Sequence, residues 1–159
     1  MASRVDLSGA LAGLDSLAEM TNSVARSMGV AAGQAVRDEA KARAPVDDGT
    51  LRDAIYLAYR DGDSTQARVV YQVSWNSKKA PHGHLLEFGH WRTNVLVRGE
   101  DGKWRATSEL LPAPVWTAAH PFLRPAYEAT LSRLAEVAAA RGRKRLAELL
   151  NGEGTDDGV

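Results

Sequence analysis

The stretch KARAPVDDGTLRDAI, residues 41–55, constrains the fold more than any other, because the hydrophobic period changes across it. Before it, one face recurs every three or four residues: Leu11, Leu14, Leu17, Thr21 and Val24, then Met28, Ala32, Val36 and Ala40. That spacing predicts a helix over 10–44, with Gly29 and Gly33 as its weak points. The second half of the stripe is mostly alanine, which lets another backbone approach closely. Pro45 disfavours helical geometry at Ala44, and Asp47, Asp48 and Gly49 are turn formers, so the helix ends there. Gly49, after two aspartates, is expected to take a positive φ.

Beyond the corner the period is two. Ile55, Leu57 and Tyr59 oppose Tyr56, Ala58 and Arg60; after Asp61-Gly62-Asp63, the set Ala67, Val69, Tyr71, Val73 and Trp75 opposes Arg68, Val70, Gln72 and Ser74. Two alternating runs around a short glycine-containing loop predict an antiparallel hairpin. A second hairpin is predicted over 93–106, with Val95 and Val97 facing Trp104 and Ala106 across Glu100-Asp101-Gly102-Lys103. Pro112, Pro114, Pro121 and Pro125 keep 111–125 extended and irregular. A closing helix begins near Pro125, with Tyr127, Leu131, Leu134, Ala138, Gly142, Leu146 and Leu149 as its apolar stripe. The predicted class is α+β: a long N-terminal helix, an antiparallel sheet of about four strands including the inserted hairpin, and a C-terminal helix packed on the sheet. Residues 1–150 form one domain, with a hairpin arm at 90–120, and NGEGTDDGV (151–159) is a solvated acidic tail.

Charge and composition narrow the function. Among 159 residues, 20 Lys and Arg balance 20 Asp and Glu, which argues against a dedicated DNA-binding domain with its usual basic excess. There is no cysteine, so disulfides and thiolate metal sites are excluded. The N-terminal 20 residues alternate apolar and polar types, unlike a secretory signal, and no run is long and apolar enough to span a bilayer. A soluble protein used inside a cell is expected.

HGHLLEFGH is the most reactive-looking segment, since His82, His84, Glu87 and His90 are all potential zinc ligands. A small metal-dependent enzyme using these four is one reading. Their spacing is wrong for a helical pair of ligands four residues apart, and Gly83 and Gly89 make the segment loop-like, so surface or interface histidines are the simpler reading. No nucleophile motif or phosphate-cradling loop is present. Asp47 and Asp48 read as a turn. Arg141, Arg143, Lys144 and Arg145 read as cations solvating a helix C-terminus, with contact to nucleic acid as the minority reading. Three of the four tryptophans, Trp91, Trp104 and Trp116, fall between residues 90 and 120, where they either anchor a protein contact or complete a core.

Three segments together resemble one family. AKARAPVDDGTLRDAI is similar to its helix-end signature (Ala44, Pro45, Gly49, Leu51); LLEFGH to its Glu-Phe-Gly-Thr element (Glu87, Phe88, Gly89), with His90 where Thr is usual; and HPFLRPAYEA to its closing Pro-Phe-apolar-Arg-Pro-Ala element (Pro121, Phe122, Arg124, Pro125). The chain thereby resembles, over about residues 20–140, the tail-component or neck proteins of long-tailed double-stranded DNA phages and prophages, also described as minor tail or tail-completion proteins. The resemblance implies a structural virion protein of the head–tail junction, without cofactor, metal or catalytic role, assembled in the host cytoplasm and not in a membrane. It implies a homo-oligomeric, six-fold ring that meets neighbouring neck, head-completion or tail-terminator proteins and passes double-stranded DNA without reading its sequence. The 31 residues of 90–120 exceed what compact members need, so the role of this insertion does not carry over. A non-viral oligomeric adaptor is the further alternative.

Overall fold

The computed structural model describes residues 8–66 and 68–152, with the side chains of 8–11 left out. Ala67, Leu11 as a stripe side chain, and all but the first two residues of the 151–159 tail lie outside the described part. The element order is α1 (Ser8–Arg43), α2 (Thr50–Ala54), β1 (Ile55–Tyr59), β2 (Tyr71–Trp75), α3 (Gly83–Phe88), β3 (His90–Arg98), β4 (Trp104–Thr117) and α4 (Leu123–Leu150), with a single 3-10 turn at Asp61–Asp63. This is an α+β fold.

Helix α1 stops one residue before Ala44, whose N–H still bonds Ala40 O at 2.9 Å. The corner is then built by two residues. Asp48 Oδ1 accepts the Thr50 N–H at 2.9 Å, and Gly49 takes the left-handed conformation at φ 83° that a side chain resists. Between corner and strand the chain makes one turn of helix, α2, which the sequence reading did not include; it buries Leu51 and Ala54 before Ile55 turns extended.

The strands correct the expected sheet. The described residues contain four, but they form two separate two-stranded antiparallel sheets, β1–β2 and β3–β4. β1 and β2 pair from Ile55–Trp75 to Tyr59–Tyr71, so β2 is shorter than its alternating pattern. The reason is Ser64: its Oγ accepts the Val70 N–H at 3.0 Å and donates to Arg60 O at 2.7 Å, looping the backbone where a ladder would run. The second hairpin is longer than 93–106. Pro112 and Pro114 lie inside β4, extended as expected, in the irregular stretch between the Asn94–Leu110 and Arg92–Val115 pairs where the register shifts; a second shift falls between Asn94 and Leu96. The register is also one residue from the expected one. Leu96 pairs with Ala106 and Arg98 with Trp104, because the turn spans Gly99 to Lys103, closed by Gly102 N–H to Gly99 O at 2.9 Å.

Helix α4 corrects a second expectation, since it lies antiparallel along α1 and meets the first sheet only at its N-terminal end. The direction follows from its contacts: Ala126 shares a core with Ala40 and Ala44, Arg133 reaches Glu39, and Arg145 bonds Ser23. The helix is also rotated from its apolar stripe. Ala126, Thr130, Gly142 and Arg145 are buried, whereas Tyr127, Leu131 and Leu146 stay about half exposed. Close helix approach selects small side chains for the seam, with Met28 against Gly142, and pushes the large ones to its flanks. Thr130 is accommodated by bonding Ala126 O at 2.9 Å, and Arg145 by bonding Ser23 and Glu148. On the other side of α1, Tyr71 lies against Gly29 and Leu57 against Gly33, so the expected weak points of the helix are where the first sheet packs. The N-terminal part of α1 is uncovered: residues 12–19 are exposed, Leu14 and Leu17 among them.

The core sits where α1 ends and α4 begins. Ala40, Ala44, Leu51, Ala54, Ile55, Ala80, Phe122 and Ala126 are buried there, with Val73, Trp75, Leu86 and Leu123 packed around them. Trp75 meets Phe122 edge to face at 5.8 Å.

Candidate functional site

Two regions carry the residues singled out from the sequence. The first is a junction built on Glu87. Helix α4 starts at Phe122, a residue with no side-chain acceptor to cap the helix. Glu87, buried to 8% exposure on the short helix α3, supplies the acceptor from 35 residues away in sequence. Its Oε2 accepts the N–H of Phe122 at 2.8 Å and of Leu123 at 3.0 Å, and its Oε1 accepts the N–H of Arg124 at 3.0 Å. The next residue, Pro125, has no N–H, and Ala126 N–H already bonds Phe122 O at 3.3 Å. One carboxylate therefore satisfies every free donor of the first turn, and its charge lies at the positive end of the helix.

Gly89 finishes the same junction. It takes φ 72° and ψ 172°, and a Cβ there would lie 2.7 Å from Trp116 Cζ2 and 2.8 Å from Thr117 O. Glycine alone fits. His120 N–H bonds Leu86 O at 2.7 Å, tying the end of the hairpin arm back to α3. At the nearby corner the Asp48 carboxyl is held below its ordinary range, chiefly by the Thr50 backbone N–H, with Lys103 adding a smaller pull.

Of the motif positions, Ala44, Leu51 and Phe122 meet in the core and Glu87 braces it, so the three sequence segments converge on one junction. Pro45, Phe88, Pro121 and Arg124 keep their side chains exposed, and Arg124 joins the junction through its backbone N–H alone. The four candidate zinc ligands are not brought together. His82 and His84 are exposed, Glu87 points into the α4 amides, and among the described residues no three His, Asp or Glu side chains form a metal-binding group. The basic cluster is divided: Arg145 and Arg141 bond Glu148 within α4, and Arg143 and Lys144 face solvent.

Residues 10–89 match the family described as "Bacteriophage HK97-gp10, putative tail-component". The chain belongs to this tail-component family. No curated protein and no solved structure matches it. The family span begins in α1, takes in the corner and the first hairpin, and ends on Gly89, the last residue of the Glu-Phe-Gly element. The tail-component family thus accounts for one half of the junction, and Glu87 joins that half to the Pro-Phe-Leu-Arg-Pro segment beyond it.

The second region begins at residue 90, where the family span stops. Along β3 and β4 the tryptophans are open to solvent: Trp91 and Trp104 are each 65% exposed and Trp116 is 50% exposed. Trp91 and Trp116 are cross-strand partners stacked edge to face at 5.3 Å. Val97, Leu110 and Val115 are exposed beside them. Of the two readings for these tryptophans, completion of the subunit's own core does not describe this geometry. At the arm's tip Lys103 reaches Asp47 at 3.8 Å, a contact between exposed side chains. Among the described residues no helix is long and apolar enough to cross a membrane.

Proposed function

We propose that this tail component is the repeating subunit of a homo-oligomeric ring at the head–tail junction of a long-tailed phage, joining the tail to the DNA-filled head. The observation that carries the reading is the uncovered aromatic surface of the β3–β4 arm. Exposed tryptophans at both ends of one hairpin, on strands that also carry Arg92, Arg98 and Arg105, have the composition of a protein interface. Family membership supplies the structural setting, and the braced junction at Glu87 supplies a stiff subunit, which a ring of fixed geometry requires.

The ring is six-fold, meets neck, head-completion or tail-terminator proteins at its faces, and passes the genome through its centre. Equal numbers of acidic and basic residues suit that passage, because a strongly basic lumen would bind the phosphates instead of letting them slide. The subunit is a late, structural product, located in the virion and assembled in the host cytoplasm; its work is positional, not catalytic. Electron microscopy of the purified full chain tests this. Rings of one copy number with a central channel are the expected outcome. A protein that stays monomeric at high concentration, with no rings on the grid, overturns it.

A further inference from the structure

A second unpartnered apolar surface lies on the other side of the molecule's ledger: a groove of about 510 Å³ between α1, β2 and α4. Its floor is Ala32 and Val36, one wall is Tyr71 and Val73, and the other is Tyr127 and Leu134. Arg124 is the one charged residue in its lining, and its volume falls in the range in which proteins enclose an anchor group. No residue of the arm lines it, and the arm's tip is placed instead at Asp47.

We propose that the β3–β4 arm of one copy of this chain packs its tryptophans into the α1–β2–α4 groove of the next copy. The inference rests on the ring reading and says which two surfaces close the ring. The two surfaces differ, so the contact is head to tail. Contacts of that kind generate rings when the rotation closes, whereas a self-complementary contact stops at a dimer. The areas fit a second copy. Three tryptophans half or more exposed, with Val97, Leu110 and Val115, present on the order of 600 Å² of apolar surface, close to the roughly 800 Å² each partner contributes to a standard interface. The anchor is already formed, because the Trp91–Trp116 pair is fixed within the arm and loses little side-chain freedom on docking. The split of the strands into two sheets has the same sense. A lone two-stranded hairpin is marginal in water, and the groove flanks β2, whose outer edge has no strand beside it among the described residues.

The test uses two exposed positions. Trp104→Glu disables the arm and leaves the groove, and Tyr127→Glu disables the groove and leaves the arm. Each variant is first checked against the wild-type circular dichroism spectrum, then assembly is read by native mass spectrometry. Wild type gives rings, and each variant alone loses association by roughly 30-fold or more. Mixed one to one, they form a dimer that grows no further, since one intact arm meets one intact groove. Rings from wild type with either variant unimpaired overturn the arm-in-groove contact and leave the ring reading standing. Variants that fail alone and also fail when mixed overturn it too. Wild type that never associates overturns both. Should a variant fail to fold, Leu110→Glu on the arm and Leu131→Glu on α4, one helical turn beyond Tyr127, both at exposed positions, replace it.

Discussion

The chain is closed at Phe122 and open at Trp104. Around Phe122 a buried carboxylate satisfies three backbone donors, two aromatic rings meet edge to face, and alanines from α1, α2 and α4 fill the space. Along β3 and β4 the larger aromatic payload stands in solvent, and the ladder itself slips twice. The first region explains its own residues by folding. The second does not: three tryptophans stand at least half exposed, and burial within the subunit does not account for them.

That contrast breaks first at Glu87. Glu87→Ala removes both acceptor oxygens and leaves three amide donors at a helix start, so a loss of about 3–5 kcal/mol is expected, a large fraction of an ordinary domain's stability. Urea unfolding of the variant checks it, and a midpoint near wild type would show that the brace is ornamental. Gly89→Ala comes next, at about 2–4 kcal/mol, because the new Cβ meets Trp116 and Thr117 O at a positive φ. Thermal melting reads the loss, which should be accompanied by displacement of the arm's base, visible as a change in tryptophan fluorescence. Gly49→Val should cost about 1–3 kcal/mol for its φ of 83° at the corner; an unchanged melting temperature would contradict the strain assigned there.

On the open side the effects on the subunit shrink. Trp104→Ala should leave the unfolding free energy of dilute, monomeric protein within about 0.5 kcal/mol of wild type while weakening association. Early melting of that monomer would return the tryptophan to the core and merge the two regions. The smallest effect belongs to Asp48. Its folded pKa is lowered, so whatever stability it contributes is present above the ordinary carboxylate value of 3.8 and is lost as pH falls through the folded value. Asp48→Asn should therefore flatten stability against pH only in the acid range, and acid titration followed by circular dichroism would detect any change near neutrality that speaks against it.

Local signals were legible and long-range ones were not. Pro45 and the Asp48-Gly49 pair announced the corner because steric exclusion acts between chain neighbours. The one-turn helix α2 gave no sign, since five residues carry no period. The stripe on α4 misled because its buried seam was chosen by the closeness of α1, which admits Thr130 and Gly142 and turns away Leu131 and Leu146. Four strands were readable, but whether they share one sheet depends on lateral neighbours that alternation does not specify. Glu87 was visible as a motif residue and its task was not. The available clue was Phe122, a helix start with no capping side chain, followed by Pro125.

Hydrogen exchange on the same protein, dilute and then concentrated enough to assemble, tests the contrast most directly. The account predicts that amides around Phe122 to Ala126 are protected equally in both states, while those of β3 and β4 exchange quickly in the dilute subunit and slow on assembly. Strong protection of β3 and β4 in the monomer, or no change in them when rings form, would contradict it.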